Sequence, residues 1–547
     1  MYFCAFDLKI SHKIIMKHTG FRLGLLILLF INLLTGKAQT PLTEGGGPSV
    51  ARCNGALSDQ TLLKQDDKSA IFYLHTYSDN PKQQYQGIVT YNKSTDTTYN
   101  EDVILPDGYR PLFFRPCGEN YFGCYYRLNR TKKSFDYATA TFPQKKSTSG
   151  VRNITPTVNT SIDITDRADI VKFSAVAPDQ SKFAVVLVAP DINYRTHHFY
   201  CFVYDKDGNE VWTEKYSPAL SGSRFTVHDI ELTRKGEFLL LVNSVKGKNA
   251  LVQLFSCTED GISSVDETVD FGYIQSMKML RLQNQLKEIF VGGYFSTSTQ
   301  GGTTGFFNLI YNPDKKTFTS KHHDTFEYKD KTVYDDFTEA DYTIKCDHLI
   351  ELPDKIVMMI GEQYITVQQH GEKSSTAYKH ITNNIYGNKF ALNGNNLGVI
   401  KVQRHISAGS GSLVSQREEG ERIGKSALYE KGPAPKMPTF ANLGITYSPI
   451  VQGSTIYLLY EDLAANYAED ATGWEPAAVE KADNNCVVLT RMDYSADKKV
   501  VMMPGKSPQT FHDIWCIDGQ DIYFGMSGKK DYSIQKFKLD GRWSWDK

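Results

Sequence analysis

Short apolar runs separated by polar turns extend along most of the chain, with almost no trace of the 3.6-residue period of an amphipathic helix. Eight runs rich in β-branched and aromatic residues recur at a mean spacing of about 64 residues. They are IFYLHTY (71–77), YFGCYYRL (121–128), FAVVLVA (183–189), FLLLVNS (238–244), IFVGGYF (289–295), IVMMIGEQY (356–364), TIYLLYE (455–461) and DIYFGMS (521–527). This pattern predicts an all-β protein.

Each of these runs belongs to a longer unit. A second strand pattern and a tight turn usually follow the run, as in FYCFVYDKDGNEVW, and a further short strand precedes it. Units of about four antiparallel strands that recur in this way predict a single β-propeller over residues 51–547. The number of blades is seven or eight, because the second unit is poorly formed and the two terminal strands could complete one shared blade.

The segments FTVHDIELTRKGEFLLLV (225–242) and TFHDIWCIDGQDIYFGMS (510–527) repeat a His-Asp-Ile sequence before a turn. A third, reversed pair precedes another apolar run, and in all three cases the aspartate lies eight residues before the next strand segment. These spacings predict equivalent positions on the innermost strands, which line the channel of a propeller. The candidate ligand-binding residues are therefore His228, Asp229, Asp347, His348, His512 and Asp513.

Strict strand alternation would turn only one member of each His-Asp pair toward the channel. A competing interpretation is structural: the aspartates would accept backbone hydrogen bonds at the turns between blades. Metal binding by the same residues and catalysis by them are further alternatives, which the spacing alone does not favour.

The first 38 residues predict a secretory signal peptide. A basic stretch from Met16 (MKHTGFR) leads into the apolar LGLLILLFINLL and then TGKAQT, with cleavage expected after Ala38. Met16 is the expected translation start, and residues 39–50 are expected to be a flexible N-terminus. An uncleaved anchor is the alternative, although the apolar run is short for a membrane span. No later segment is apolar enough to span a membrane, so we expect a periplasmic or extracellular protein.

Charge argues against a nucleic-acid partner. The full chain carries 61 Lys and Arg against 62 Asp and Glu; loss of residues 1–38 removes five of the former and one of the latter, which leaves 56 and 61 and a net charge of −5. Phosphate binding requires a basic surface, which this balance does not favour.

Cysteine usage and motifs predict little chemistry. Eight cysteines follow the signal segment, most of them in apolar runs where a thiol packs as a small hydrophobe. Cys117 and Cys124 could face each other across a hairpin, so one disulfide is possible. The absence of Cys-x-x-Cys, Gly-x-Ser-x-Gly, His-Glu-x-x-His and P-loop motifs leaves no predicted metal site, cofactor or catalytic residue. DKDGNE (205–210) resembles the start of a calcium loop but lacks the later ligands, so a hairpin turn is the favoured interpretation.

One spacing is anomalous. The runs that begin at 356 and 455 are 99 residues apart, and the excess lies in residues 406–440, which are rich in Gly, Ser, Pro and charge. The composition predicts a mobile loop, which could be either an incidental surface segment or a lid over one mouth of the channel.

The C-terminal half contains the sequences GEQY (361–364), KVQR (401–404) and YLLYEDLAAN (457–466). In this order, and with the loop between the last two, they resemble an uncharacterised group of exported Bacteroidota proteins, over roughly residues 340–500. The chain departs from that group at Val399-Ile400, where a hydrophobic-proline pair is usual, and in lacking the preceding tryptophan. The resemblance implies export and a propeller-like fold, and it implies no reaction.

Together these observations predict an exported binding or scaffolding propeller of the cell envelope that recognises a protein or glycan through one face. Loop aromatics such as Trp474 and Tyr194 could stack on sugar rings. The alternative is a carbohydrate-active enzyme, a glycoside hydrolase or lyase, with carboxylates at the channel mouth.

Overall fold

The computed structural model describes the greater part of the chain after residue 48. The described residues are 49–51, 57–76, 85–106, 108–129, 131–145, 149–163, 170–190, 197–218, 225–246, 249–283, 287–298, 301–328, 338–370, 376–404, 406–408, 422–423, 447–463, 485–492, 499–503, 510–518, 521–527 and 531–538. The predicted signal peptide, the expected N-terminal segment up to residue 48, Tyr194 and Trp474 lie outside these ranges.

The prediction of an all-β propeller built from four-stranded antiparallel blades is confirmed. Within the described residues the strands form eight sheets, each with a core of four antiparallel strands. The helical content of the same residues is one short 3₁₀ turn, Glu339–Asp341, and no helix among them is long and apolar enough to cross a membrane. Of the two predicted blade numbers, the sheet count corresponds to eight.

Blades 1 to 4 occupy the first half of the described chain. Their strands are β2 (Leu57–Gln65), β3 (Ser69–Thr76), β4 (Tyr85–Asn92) and β5 (Thr97–Ile104); β6 (Tyr109–Cys117), β7 (Asn120–Asn129), β8 (Ser134–Pro143) and β10 (Thr157–Asp163); β11 (Ile170–Val176), β12 (Lys182–Pro190), β13 (His197–Asp205) and β14 (Glu210–Tyr216); and β15 (Phe225–Leu232), β16 (Phe238–Lys246), β17 (Asn249–Thr258) and β18 (Gly261–Val269). The short strand β9 (Val151–Asn153) adds to β5 in parallel.

Blades 5 to 8 follow the same order. Their strands are β19 (Tyr273–Arg281), β20 (Ile289–Ser296), β21 (Gly305–Asn312) and β22 (Thr317–Thr325); β23 (Thr343–Leu352), β24 (Ile356–His370), β25 (Thr376–Ala391) and β26 (Asn396–Val402); β29 (Tyr447–Gln452), β30 (Thr455–Leu463), β31 (Asn485–Arg491) and β32 (Lys499–Met503); and β33 (Thr510–Asp518), β34 (Asp521–Ser527), β35 (Asp531–Lys538) and β1 (Ser49–Ala51). Each of the eight apolar runs identified in the sequence lies in the second strand of its blade.

The two ends of the chain close the ring. β1 pairs antiparallel with β35, so the N-terminal strand is the outermost strand of the blade whose other three strands are C-terminal. The first strand β2 of blade 1 lies beside the first strands of both blade 2 and blade 8. The terminal strands therefore share a blade, as one of the sequence alternatives proposed, and the eight sheets form a closed circle.

The core lies between neighbouring blades. One cluster joins Val186 and Val203 of blade 3 to Leu240 and Phe255 of blade 4, and similar apolar clusters occupy six other blade-to-blade interfaces. At the ring closure, Tyr91 and Tyr523 meet edge to face with ring centroids 5.6 Å apart. Because a twisted sheet buries its two faces against its two neighbours, each blade is stable only within the ring.

We call the side on which the first strands begin the top face; it includes the start of β23 at Thr343 and of β29 at Tyr447. Antiparallel order also brings the turns between second and third strands, and the connections between blades, to this side. In blade 6 the second and third strands continue past the blade: β23 pairs with β24 as far as Tyr364, whereas the β24–β25 pairing runs on to His370 and Thr376.

The segment 406–440 contains two short paired strands. β27 (Ile406–Ala408) pairs with the extended part of β25, and β28 (Arg422–Ile423) pairs with β11, the first strand of blade 3. Since β11 is otherwise the innermost strand of its sheet, β28 lies on the channel side of blade 3. The predicted mobility of this segment concerns residues that otherwise lie outside the described part of the chain.

Most first strands carry a β-bulge. A register shift with one extra residue occurs in β2, β6, β15, β19, β23 and β33. In β15 the extra residue is His228, and in β23 it is Asp347. A bulge interrupts the alternation of side chains between the two faces of a strand, so the expectation that one member of each His-Asp pair must point away from the channel does not hold for these strands.

Candidate functional site

His228 and Asp229 lie in the first strand of blade 4, and contacts within the fold engage both side chains. The Asp229 carboxylate accepts backbone hydrogen bonds from Ile230 (3.0 Å) and from Met279 (2.8 Å) in the first strand of blade 5. Burial raises the pKa of Asp229. His228 Nε2 lies 2.6 Å from Asn243 Oδ1, and burial lowers the pKa of His228 to about 4. Asp229 therefore links two blades through backbone donors, as the competing structural interpretation supposed.

Asp347 and His348 lie in the first strand of blade 6 and contact blade 7. The Tyr447 hydroxyl donates to Asp347 Oδ2 at 2.7 Å, and Lys345 Nζ lies 3.3 Å from Asp347 Oδ1. The rings of His348 and Tyr447 meet edge to face, with centroids 5.5 Å apart. Burial lowers the pKa of His348, while the Asp347 charge opposes that shift.

His512 and Asp513 lie in the first strand of blade 8, and their side chains fall outside the described part of the structure. Backbone pairing tests the predicted equivalence. Asp229 pairs with Leu241 and Asp513 pairs with Gly525, and each follows a bulge in the same way. Asp347 is itself the bulged residue, so the equivalence extends from Asp229 to Asp513 but not to Asp347.

Lys278, on the first strand of blade 5, relates the two described pairs. Its charge favours the ionised form of Asp229 and disfavours protonation of His348, so it interacts with both of them. Asp229, Lys278 and His348 thus follow one another along the first strands of three consecutive blades. The ligand-binding role of the six residues stays a prediction.

A second group of polar residues, which the sequence did not single out, lies at the top face on the two sides of blade 6. Lys345, Glu362, Arg404 and Tyr447 lie toward blade 7, whereas Glu339 and Lys401 lie with Tyr386 on the side of blade 5. We call it the blade 6–7 cluster; it comprises Glu339, Lys345, Asp347, Glu362, Lys401, Arg404 and Tyr447. Lys345 of β23 is paired with Glu362 of β24, and this pair connects Asp347 at one end of the cluster to Arg404 at the other.

Arg404 is the most deeply buried charge of the cluster, with no exposed side-chain surface. Its Nη1 donates to Glu362 Oε1, its backbone N–H donates to Asn384 Oδ1 (3.4 Å), and its guanidinium lies over the Tyr460 ring at 5.7 Å. A buried guanidinium is tolerated only beside a compensating negative charge. Glu362 supplies that charge from β24, on the far side of β25 from β26, the strand that precedes Arg404.

Glu339 forms the centre of a second set of contacts. The 3₁₀ turn that carries it is held by Asp341, whose Oδ2 accepts bonds from the Thr338 backbone N–H (2.8 Å) and hydroxyl (2.7 Å). Glu339 Oε1 accepts bonds from Tyr386 and from Asn384 Nδ2 (2.8 Å), and Lys401 Nζ lies 3.5 Å away. Asn384 therefore connects Glu339 to Arg404.

An irregularity in the β24–β25 pairing opens the sheet at this point. Asn383 and Asn384 of β25 lie opposite the single residue Gln363 of β24, and Gln363 is fully buried. Its Oε1 accepts a bond from Asn383 Nδ2 (3.1 Å), and its Nε2 donates to the Glu339 carbonyl (3.2 Å). A bulge that re-aims side chains in this way is common next to functional sites.

The three carboxylates of the cluster all have a basic partner: Glu362 has Arg404, Glu339 has Lys401 and Asp347 has Lys345. Together with the tyrosine hydroxyls and amides, these groups suit hydrogen bonding to a polar ligand. A general acid would instead need a carboxyl held in its protonated form near neutral pH.

Three short sequences already quoted contain residues of this cluster or residues that contact it. GEQY includes Glu362 and Gln363, KVQR includes Lys401 and Arg404, and YLLYEDLAAN includes Tyr460. Charged and amide residues that directly follow apolar strand runs predict buried polar groups with partners. What the sequence could not provide was their common location.

The cysteines and the DKDGNE segment, which the sequence analysis also considered, have structural contacts in this fold. The five described cysteines are buried free thiols: Cys117, Cys124, Cys201, Cys257 and Cys346. Cys117 and Cys124 pair with Asn120 and Phe113 rather than with each other, so the expected facing pair is wrong. DKDGNE forms a hairpin turn in which Asp205 Oδ1 accepts backbone bonds from Asp207 (2.8 Å) and Asn209 (2.9 Å). Among the described residues, no three His, Cys, Asp or Glu side chains are grouped as metal ligands would be.

Comparison with known proteins identifies no family, since no protein-family model and no curated protein matches the chain. Prolyl oligopeptidase B from Galerina marginata has 9% identity over 88% of this chain and 55% of its own, with a TM-score of 0.35. This chain therefore spans about half the length of that enzyme.

The chain also matches two further solved structures over nearly their whole length. The polysaccharide lyase Uly1 has 10% identity over 92% of this chain and 95% of its own, with a TM-score of 0.32. The β-propeller domain of the Trilobed protease from Pyrococcus furiosus has 8% identity over 79% and 96%, with a TM-score of 0.30. These similarities are too weak to indicate an activity, and the fold assignment rests on the strand pairing described above.

Proposed function

We propose that the protein is an exported binding propeller of the cell envelope, which recognises a glycan or protein at its top face through the blade 6–7 cluster. The observation that carries the proposal is the concentration of buried charged, amide and tyrosine side chains at the top of blade 6. Buried ion pairs contribute little to stability compared with apolar packing, so a ligand gives this set a role that folding alone does not.

Export is supported by the signal-like pattern of residues 1–38. Mass spectrometry of the protein recovered from the envelope fraction of cells expressing the whole chain should find an N-terminus at Gln39. A mature protein that begins at Met1 or Met16 and stays in the cytoplasm would contradict export.

Binding has more support than catalysis in this cluster, because each of its carboxylates is neutralised by a neighbouring base. A glycoside hydrolase would use two carboxyl groups at a set separation, one of them protonated. Asp229, one of the aspartates predicted to line the channel, accepts two backbone hydrogen bonds.

A matched pair of double variants tests the location. Lys345→Ala with Asp347→Ala removes a half-buried ion pair at the top face, and Arg281→Ala with Glu231→Ala removes another half-buried pair (2.5 Å) at the opposite ends of β19 and β15. On a glycan array and in capture from envelope extract, the first variant should lose the partners that wild type and the second variant retain. Equal retention by both variants, with equal melting temperatures, would exclude the cluster as the binding site.

A further inference from the structure

The outermost strand of blade 8 is shorter than the strand that it covers. β1 has three residues and pairs with residues 531–533, whereas β35 has eight residues and continues to Lys538. In the other seven blades the outermost strand has five to nine residues. No strand among the described residues pairs with the outer side of residues 534–538, which we call the open edge. An edge of this kind pairs readily with another strand, so native proteins usually cover it.

Two segments of the chain are connected directly to the strands of blade 8, and the first precedes β1. Extension of the β1–β35 register would place Pro48 opposite Ile534 and residues 45–47, all of them glycine, opposite the next three residues. Proline has no backbone N–H to donate to a strand partner, and glycine is unfavourable within a strand. The segment before β1 is therefore poorly suited to cover the open edge.

The second segment follows β35 and has the sequence of a hairpin. Asp540-Gly541 is a preferred dipeptide of the two-residue type I′ turn, in which both residues take a positive φ. A turn centred there places residues 542–546 opposite residues 535–539, with Trp545 opposite Lys536. Tryptophan is enriched in strands, unlike the glycine and proline that precede β1. Because residues 539–547 lie outside the described part of the chain, this register is a prediction from the sequence.

The side chains of the open edge suit this pairing. Lys536 is half exposed, and its Nζ lies 2.8 Å from Asp521 Oδ2 and 5.3 Å from the centroid of the Tyr523 ring, which is opposite Lys536 on β34. Residues directly opposite each other on antiparallel strands share one face, so Trp545 would lie against the other side of Lys536. Tryptophan is the aromatic side chain that attracts an ammonium group most strongly. The segment after β35 therefore offers Lys536 a second aromatic partner.

We propose that residues 542–546 pair with the open edge and form, next to β1, a second piece of the fourth strand of blade 8. Every residue of β35 except Ile534 then has a neighbour on its outer side. Ile534 lies on the same face as Lys536, is 2% exposed and packs in the cluster that contains Tyr91 of blade 1. The segment after β35 therefore lies beside the closure of the ring, and it occupies an edge that a partner strand would otherwise use. This inference is independent of the proposed binding function.

Amide hydrogen exchange of the whole mature protein, followed by mass spectrometry, tests the pairing. A covered edge protects those backbone N–H groups of residues 534–538 that do not bond with β34. We expect these groups to exchange at least about tenfold more slowly in the whole chain than in a chain that ends at residue 541. Equally fast exchange in the two chains would overturn the proposal.

Gly541→Val disrupts the turn without removing the strand. A valine at this position resists the positive φ that the turn requires, so the open edge should exchange faster, as it does in the shortened chain. Gly453→Val is the matched control, since Gly453 also has a positive φ (56°) in the two-residue turn between β29 and β30 and has open space around it. This control should leave exchange at the open edge unchanged. Equal exchange at the open edge in the two variants would contradict the hairpin.

Two other occupants of the open edge have distinct outcomes. A chain that begins at residue 49 retains β1 and lacks the glycine and proline residues before it. This chain should keep the protection, and loss of protection would assign the open edge to the segment before β1. Protection that disappears on dilution would assign the open edge to a second copy of the chain. Either result would overturn the proposal.

If the shortened chain and Gly541→Val do not fold, the whole chain and the chain that begins at residue 49 still decide the question. Protection in both chains that does not depend on protein concentration supports the pairing of residues 542–546 with the open edge. Fast exchange of residues 534–538 in the whole chain overturns it.

Discussion

Asp229 shows how one side chain can connect two blades. Its two oxygens accept backbone bonds from its own strand and from the first strand of the next blade. A comparable link joins blades 5 and 6, where the Ser276 hydroxyl accepts a bond from the Cys346 backbone N–H (2.8 Å). Polar side chains on the first strands therefore accept hydrogen bonds from backbone N–H groups of neighbouring first strands.

Replacing Asp229 with alanine should destabilise the protein. The change leaves two buried backbone donors without acceptors, so we expect the free energy of unfolding to fall by roughly 2 kcal/mol or more. Urea denaturation followed by tryptophan fluorescence measures the effect. Asp179→Ala is the control, because this exposed carboxylate caps a surface turn at Ser181, and its loss should cost at most about 1 kcal/mol. Equal effects of the two changes would contradict the cross-link.

His228 should make the protein sensitive to acid. Its pKa is lowered to about 4 from an ordinary value of 6.5. Between those two pH values the unfolded chain is protonated at this position and the folded chain is not. Stability should therefore decrease as the pH falls through this window, by roughly 2–3 kcal/mol between pH 7 and pH 4.

Replacement of His228 with glutamine should remove this part of the acid sensitivity. Between pH 7 and pH 4 the unfolding free energy of His228→Gln should fall less than that of wild type. His323→Gln, an exposed substitution on the outermost strand of blade 5, is the control of the same chemical change. A variant as acid-sensitive as wild type would place the titrating group elsewhere.

At the scale of elements, the second strands hold the first strands in place by close approach. Gly361, in the second strand of blade 6, has no room for a side chain: a Cβ there would lie 2.3 Å from the Lys345 carbonyl oxygen. That oxygen belongs to the strand that carries Asp347 and His348. The glycine of the GEQY sequence therefore sets the position of one wall of the blade 6–7 cluster.

Gly361→Ala should displace that strand. We expect a loss of roughly 1–3 kcal/mol in stability, because the clash is with backbone, together with weakened ligand binding at the cluster. Gly387→Ala, in the third strand of the same blade, would meet the flexible end of Met492 instead and should cost less. Thermal denaturation of the two variants checks this order, and a smaller loss for Gly361→Ala than for Gly387→Ala would contradict it.

At the scale of the whole molecule, stability depends on closure of the ring. The three-residue strand β1 is the outermost strand of blade 8 and covers the edge of β35. The blades bury their faces only against each other. Loss of the strand pairing at the closure would therefore weaken the contact between Tyr91 and Tyr523 that joins blades 1 and 8.

A chain that begins at residue 55 should be less stable than one that begins at residue 46, because it lacks β1 and leaves an open strand edge. We expect a melting temperature lower by several degrees and a greater tendency to aggregate. Light scattering during a thermal scan measures both. Identical behaviour of the two chains would mean that β1 contributes nothing to closure.

Much of the fold could be predicted from the sequence. The eight apolar runs are the second strands of the eight blades, and turns such as DKDGNE lie where their Asp and Gly residues indicate. These features are local: an apolar run and a turn within about ten residues decide a hairpin before any long-range contact forms.

The candidate site could be predicted only in part. Asp347 belongs to the blade 6–7 cluster and His348 contacts its Tyr447, while His228 and Asp229 belong to the interface of blades 4 and 5. In all three strands the first residue of the pair is the bulged one, so His348, and not Asp347, is equivalent to Asp229 and Asp513. The residue spacing aligned the aspartates instead, because it does not record which residue of a strand is bulged.

The sequence by itself determined that this chain forms repeated antiparallel hairpins with apolar second strands, because strand and turn preferences act over a few residues. The tertiary structure decided the sharing of a blade between the two termini and the meeting of Arg404, Glu362, Glu339 and Asp347. Those contacts join residues from different strands and blades, and closing the ring fixes which strands become neighbours. Pairing across such distances depends on the packing of every blade in between, which no local pattern records.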